Sequence, residues 1–421
     1  MAITVNKTPE NRFNPITIPT EFSISSSNVN QQNFKYVCDV YVDGEPNYFR
    51  MKQSPHPTNG YCVFDISGIM KSYISNNAPK DSTRIEFTHA DNSYKLYTLK
   101  FGEEYGASSA IVVYPNLTSL TTNFYGVINA TLDFDDWAGQ FRTMNDYTVL
   151  NSTKQFLTNA PNAQNVYSYT RGYLYFLNNT AALNAASYIK YIGYNSSNSI
   201  IAQVQFDTAY NENQRIQFVG VGYANVELIV NYLPGFIQTT GTLPFITGNA
   251  GMVYYTVQLF DSSDQAITET RRYNIAEDCN IGDTYQLIFQ NKLGGYDTFA
   301  FRSFADKSYS VTTKDTFKKK LGAWNGTDYE YQPYQRATTQ YNTIYKDKII
   351  IKSDWITEDE SEWLHELIAS PDVYMVIEGR EELMAINIID SEYQVKKYNK
   401  DQLFNVQLTI EKSFNRYRQQ Y

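Results

Sequence analysis

Phe404-Asn-Val-Gln-Leu-Thr-Ile410 alternates apolar and polar residues without a break, placing Phe404, Val406, Leu408 and Ile410 together on one face. A period of two belongs to a strand with one face buried, and it cannot serve a helix. Working back from it, Ala385-Ile-Asn-Ile-Ile389 and Val373-Tyr-Met-Val-Ile377 read as further strands, and Lys348-Ile-Ile-Ile-Lys352 as another. Between the last two lies Thr357-Glu-Asp-Glu360, a capping box in which the Thr hydroxyl accepts from the third amide and Glu360 reaches back. Trp363, Leu364, Leu367 and Ile368 then form a helical stripe, and Ser370-Pro371 stops it. Strand, one helix and antiparallel strands predict an α+β domain. With the Tyr-rich, turn-prone stretch Tyr329 to Tyr345 as its linker, it occupies residues 323–421.

The rest of the chain shows short strand patterns. Phe34 to Val42 alternates for most of its length and meets the turn signal Asp43-Gly44; Asn59-Gly60 is a second turn, followed by Tyr61 to Ile66 and a short helix, Ile69 to Ile74. Arg84 to Thr88 and Tyr94 to Phe101 complete the strands of an immunoglobulin-like β-sandwich, with Val112 to Pro115 as its exit and a boundary near 118. From 119 to 322, strands are predicted at Tyr173–Leu177, Tyr188–Ile192, Ile200–Phe206, Gln217–Val219, Val226–Val230, Val253–Phe260, Arg271–Ile275 and Tyr285–Phe289. Many short strands without a long helical pattern imply sandwiches or barrels, in one domain or two. Asn151 to Pro161, containing Phe156-Leu157, reads as a loop or arm. The fold class is therefore mainly β: tandem antiparallel sandwich or barrel domains ahead of a C-terminal α+β domain.

Composition narrows the function. The 421 residues include 37 Tyr and 24 Phe but 4 Trp; the net charge is −9, and charged residues make up 19%. Tyr carries an apolar ring and a wettable hydroxyl, which suits half-buried strands and subunit contacts. A sequence-independent grip on DNA needs clustered Lys and Arg, and the only dense basic run is Lys318-Lys319-Lys320, read as a solvated loop. No segment reaches the ~20 apolar residues of a membrane span, and the N-terminus lacks a signal-peptide pattern. Synthesis in a cytoplasm is expected. Cys38, Cys62 and Cys279 show no framework spacing, and the first two sit in apolar runs as free thiols.

His56, His89 and His365 lack ligand-spaced partners, which argues against zinc. There is no nucleophile elbow and no phosphate-binding glycine loop, and Gly220-Val-Gly222 reads as a strand bend. Asp133, Asp135 and Asp136 precede Trp137, a carboxylate set beside an aromatic ring such as glycosidases use, but also an ordinary acidic turn. Asp278, Asp283 and Asp297 read as turn residues. No catalytic residue, metal ligand or cofactor site is predicted, and the chain is expected not to be an enzyme.

One string carries a resemblance. Phe289-Gln-Asn-Lys-Leu-Gly-Gly-Tyr-Asp-Thr-Phe-Ala-Phe301-Arg302 is similar to a signature of virion structural proteins of tailed phages infecting Bacteroidota, including the crAss-like group. It also reads as a strand, a Gly-Gly hairpin turn and a second strand with Phe299 and Phe301 on one face. The C-terminal strand–helix–strands unit loosely resembles the ring-forming domains of tail tube, distal tail and hub proteins. The resemblance implies a virion subunit in a ring of the neck or tail, meeting its own copies and portal, neck or tail proteins, with DNA passing nearby unbound. Ring closure requires head-to-tail contacts, which sheet edges can supply. On that reading Tyr329, Tyr331, Tyr334, Tyr341 and Tyr345, with Phe156 and Leu157, are the candidate interface residues. The alternative is a carbohydrate-binding or glycan-degrading β-sandwich protein of a phage tail, for which four Trp are few.

Overall fold

The computed structural model describes residues 3–9, 11–79, 85–107, 112–119, 125–135, 142–179, 184–208, 215–276, 284–303, 305–377, 382–390 and 405–419. The fold is mainly β, with several antiparallel sheets. The chain divides into two compact units, Met1–Asp278 with Gln290–Asp297, and Cys279–Phe289 with Thr298–Tyr421.

In the first unit, Lys35–Val42 pairs antiparallel with Tyr48–Gln53 on one side and Tyr94–Tyr105 on the other. Alternate residues of these strands, Tyr36, Cys38, Val40, Leu99 and Phe101, share a core with Phe22 and Ile24 of Glu21–Ser26 and Phe64 of Cys62–Asp65, which belong to a separate three-stranded sheet. A second core draws Leu174 and Phe176 from Tyr173–Leu177, and Val219 from Ile216–Gly220, onto Ile189, Tyr191, Val204, Tyr255 and Val257 of a six-stranded sheet. Each core lies between side chains of two sheets, which is how one-faced sheets hide their apolar sides.

The boundary expected near 118 does not hold. Val112–Ser119 is no exit but a strand on Tyr94–Tyr105, and Tyr125–Ile128 pairs with Tyr97 to Tyr94 of that same strand. Thr88–His89 joins Ile216–Gly220, so backbone hydrogen bonds tie the two expected domains into one compact unit. Of the strand expected from Arg84 to Thr88, Arg84 lies outside the described residues, Ile85 to Phe87 are not strand, and only Thr88 takes part in the short strand Thr88–His89.

The strand expected from Val226 to Val230 does not form. Tyr223–Val226 is a helical turn that runs on into turns, with Val226 and Ile229 buried. Gly222, expected in a strand bend, is the residue ahead of this helix; a Cβ there would stand 2.3 Å from the Gly172 nitrogen. Backbone approach on this scale admits only hydrogen at the α-carbon, and it redirects the chain where β-branched composition favoured a strand.

The second unit centres on one sheet, in the order Tyr296–Phe301, Tyr285–Gln290, Val373–Val376, Leu383–Ile388, Gln407–Lys412, Thr338–Lys352, Asp306–Lys318; Arg416–Gln419 also pairs with Thr338–Lys352. Strands expected on the central side of residue 322 therefore belong to this sheet. The capping box forms as read: Thr357 Oγ1 accepts from the Glu360 amide at 3.2 Å, and Glu360 Oε2 from the Thr357 amide at 2.9 Å. Trp363, Leu364 and Leu367 are buried, with the Trp363 ring 5.7 Å from that of Phe289 and 6.1 Å from that of Phe299. In the strand that opened the sequence reading, Val406, Leu408 and Ile410 are buried, whereas Phe404 lies outside the described residues. The hairpin at Phe289–Arg302 also forms: the Asn291 carboxamide oxygen accepts from the Leu293 and Gly295 amides at 3.0 Å each, and Gly294 takes φ +84°.

Candidate interaction surface

The Tyr-rich stretch is not a linker. It is the return of a long β-ribbon in the second unit, made by Asp306–Lys318 and Thr338–Lys352. Their register runs from Asp306↔Ile350 to Lys318↔Thr338, with irregularities between Val311 and Thr313 and between Asp315 and Thr316. At ~3.3 Å per residue the shorter strand alone reaches roughly 40 Å. Residues 306–318 escaped the sequence reading, although Tyr309, Val311, Thr313 and Phe317 repeat with the period of a strand.

The base of the ribbon is held by the sheet. Lys348–Lys352 pairs with Gln407–Glu411, and Asn342–Tyr345 with Arg416–Gln419. Asp347 Oδ2 accepts from Lys412 Nζ at 2.8 Å and Arg416 Nη2 at 2.7 Å, which joins three strands by charge-assisted bonds. Beyond the base, among the described residues, the two strands pair only with each other. Asp306–Lys318 ends the sheet, and among the described residues its single strand partner is Thr338–Lys352.

The far end is a small knot of turns. Lys319 N donates to Ala337 O at 2.7 Å, Gly322 N to Gln335 Oε1 at 2.9 Å, and Ala323–Trp324 pairs with Tyr329–Glu330. Asn325 Oδ1 accepts from the Thr327 and Asp328 amides at 2.8 Å each, a side-chain turn that sets Trp324 across from Tyr329.

Aromatic rings line this ribbon in contact with one another: Tyr309 with Tyr345 at 5.9 Å, Phe317 with Tyr341 at 6.0 Å, Trp324 with Tyr329 at 6.1 Å, and Tyr329 with Tyr331 at 6.3 Å. Such cross-strand pairs help an otherwise thin ribbon hold its shape. They do not bury it: Trp324 is 62% exposed, Tyr331 66% and Tyr334 80%. Lys319 Nζ stands 5.9 Å from the Phe317 ring and Lys320 Nζ 5.2 Å from that of Tyr329, so the basic run covers aromatic faces rather than forming a separate charged loop. From Asp306 to Lys352 there are nine Lys and Arg against five Asp and Glu, a net +4, which leaves −13 for the rest of a chain whose total is −9. The ribbon is thus an exposed, aromatic, basic projection on an acidic protein.

Of the seven candidate interface residues, Tyr329, Tyr331, Tyr334, Tyr341 and Tyr345 all lie on this ribbon, the first four exposed and Tyr345 partly so. Phe156 and Leu157 do not belong with them. Phe156 is fully buried in the second core; the Leu157 amide donates to Tyr175 O and its carbonyl accepts from Asn291 Nδ2, each at 2.8 Å. An apolar pair with polar neighbours on both sides is drawn inward here because both its backbone groups find partners.

Other sites offer less. Asp133 pairs with Lys292 at 2.8 Å, Asp135 is exposed, and Asp136, Trp137, Asp278, Asp283 and Cys279 lie outside the described residues. His56 stacks on Tyr61 at 5.1 Å, His89 Nδ1 meets Gln217 Nε2 at 3.2 Å, and His365 contacts the Glu362 carbonyl. Among the described residues, no group of three His, Cys, Asp or Glu could hold a metal, and no helix is long and apolar enough to cross a membrane. No protein-family model matches the chain, and no curated protein matches it.

Proposed function

We propose that the protein is a structural subunit of a bacteriophage virion, a ring component of the neck or tail that acts through contacts between subunits. The observation that carries this reading is the ribbon: a long projection ending in exposed rings, with an edge strand free on one side among the described residues. Exposed aromatic surface on a water-soluble element is costly unless a partner covers it. An unpaired edge accepts a neighbour's strand with little new ordering, and its repetition around a rotation axis closes a ring. The +4 of the ribbon and the −13 elsewhere favour contact between one subunit's ribbon and another's body, since complementary charge guides orientation. In this reading the first unit is a tandem of two β-sandwiches and the second an α+β ring-forming domain. The partners are further copies and the neighbouring portal, neck or tail proteins, with DNA passing through the channel unbound. The carbohydrate alternative gains nothing from the described part of its acidic turn, where Asp133 is engaged by Lys292.

The test is light scattering after size-exclusion chromatography over a wide concentration range, followed by electron microscopy of any larger species. Rings or a defined oligomer are expected. A strict monomer at every concentration, alone and with the neighbouring virion proteins, would overturn the reading.

A further inference from the structure

The ribbon carries +4, and the charge that answers it is concentrated in one segment of the same unit. Residues 353–372 hold seven Asp and Glu and no Lys or Arg, so −7 of the −13 outside the ribbon falls here. Part of this is engaged within the chain. Asp354 Oδ2 lies 3.6 Å from Arg302 Nη1, Glu360 closes the capping box, Glu366 is buried, and Asp372 accepts from the Tyr374 hydroxyl at 3.2 Å. Glu358, Asp359 and Glu362 remain exposed.

The helix Glu358–Trp363 sets these three together. At spacing i, i+1 and i+4 they share one face, while Trp363 and Leu364 are buried. The helix dipole accounts for Glu358 and Asp359 in the first turn. It gives no reason for Glu362, whose charge repels the other two across one turn, nor for Trp355, which is 69% exposed just ahead of the cap. An exposed indole beside an acidic stripe suits a partner that is both basic and aromatic. The ribbon tip is such a partner, since Lys319 and Lys320 lie against the rings of Phe317 and Tyr329 and present charge and aromatic surface together.

The tip of the same chain cannot fill the role. Trp363 packs on Phe289, and the sheet order puts three strands between Tyr285–Gln290 and Thr338–Lys352, a lateral separation of roughly 19 Å. The row Phe289, Val373, Ile386, Lys412 leads across the sheet to Asp347. Thr338, where the tip begins, is nine residues beyond Asp347, roughly 30 Å along the ribbon. The acidic face and the tip are thus held at opposite sides of one sheet. A contact between them joins two molecules, and it repeats head to tail.

We infer that the ribbon tip of one copy docks on the acidic face of the next, Lys318, Lys319 and Lys320 against Glu358, Asp359 and Glu362, with Trp355 meeting the exposed rings of the tip. This names the receiving surface within the ring reading given above, and it rests on that reading.

The experiment is a charge exchange, read by sedimentation velocity of the full chain at low salt, where such contacts are least screened. One variant carries Glu358→Lys, Asp359→Lys and Glu362→Lys; the other carries Lys318→Glu, Lys319→Glu and Lys320→Glu. Each alone sets like charge against like and is expected to associate at least about tenfold more weakly than the parent. An equimolar mixture is expected to recover, because it offers one contact with the parental charges and one with both reversed. Growth beyond a dimer needs both contacts, so damage to the fold at either surface is not rescued by mixing. The combined variant Glu21→Lys, Glu45→Lys, Asp91→Lys makes the same change of charge at exposed positions of the first unit and is expected to associate as the parent does. Trp355→Ala gives a second reading, association weaker by about tenfold at an unchanged melting temperature.

If the parent associates and the ribbon variant does not, but the acidic-face variant or Trp355→Ala associates as the parent does, the inference is overturned and the ring reading stands. The inference falls in the same way if the first-unit control weakens association equally or if the mixture stops at dimers. A parent that is monomeric at every concentration removes the ring reading, and this contact with it.

Discussion

Removing three rings from the end of the ribbon separates a role in assembly from a role in folding. In the combined variant Trp324→Ala, Tyr331→Ala, Tyr334→Ala, the deleted side chains are 62%, 66% and 80% exposed, so the folded chain holds little of each. Surface substitutions of this kind shift stability by about 0.5 kcal/mol or less apiece. A full aromatic side chain offers roughly 200 Å², so the exposed fractions leave roughly 400 Å² for a partner to cover. At about 25 cal/mol per Å² the ceiling is roughly 10 kcal/mol. Ordering three side chains costs about 0.5–1.5 kcal/mol each, and part of the area stays wet. A loss of about 3 kcal/mol remains, which is roughly two orders of magnitude in association constant. Sedimentation velocity over a concentration series measures this, with thermal unfolding recorded on the same samples. The control is Phe156→Ala, which empties a fully buried site; it is expected to cost about 3–5 kcal/mol of stability and to leave the association of folded molecules unchanged. If the triple variant assembles as the parent does, the ribbon is not the contact. If it melts far below the parent, these rings are structural and the reasoning fails.

Alkaline titration addresses the core. Tyr175, Tyr191 and Tyr255 donate their hydroxyls to the carbonyls of Asn77, Gly220 and Val221 at 2.9, 2.9 and 2.5 Å, and burial raises each pKa well above 10; Tyr173 and Tyr273 are pushed up to about 12, chiefly by burial. Folded pKa values above the unfolded value mean that the native state keeps protons the unfolded chain releases, so stability is intact below pH ~10 and falls as the pH rises toward 12 and beyond. Absorbance at 295 nm should show these tyrosines ionising only as circular dichroism is lost; full ionisation with the fold intact would refute it. Burial likewise lifts the thiol of Cys62 to about 12 and raises that of Cys38 further, so iodoacetamide at pH 8 should label neither until the chain is unfolded, as read by peptide mass mapping. Gly222→Ala would drive a Cβ to 2.3 Å from the Gly172 nitrogen and 2.5 Å from the Arg171 carbonyl carbon, with an expected loss of about 2–3 kcal/mol. Gly68→Ala, with nothing within 4 Å of its Cβ, should change stability by about 0.5 kcal/mol or less, and equal melting of the two variants would contradict the close approach.

The amino-acid sequence by itself determined the β class, the capping box at Thr357, the buried stripe of Trp363, Leu364 and Leu367, and the alternation from Val406 to Ile410. These rest on local rules: side-chain period, a hydroxyl three residues from an amide, a carboxylate able to reach back. It also marked five tyrosines that share one exposed ribbon, through composition alone. The tertiary structure decided the rest. Whether Thr338 to Tyr345 is linker or strand depends on Asp306–Lys318, some thirty residues away in sequence, arriving to pair with it. Phe156 and Leu157 were drawn inward by Asn291 and Tyr175, and Arg12 and Arg215, far apart in sequence, line one cavity of the first unit. Pairing, burial and convergence of charge are properties of distant segments brought together, and no local pattern carries them.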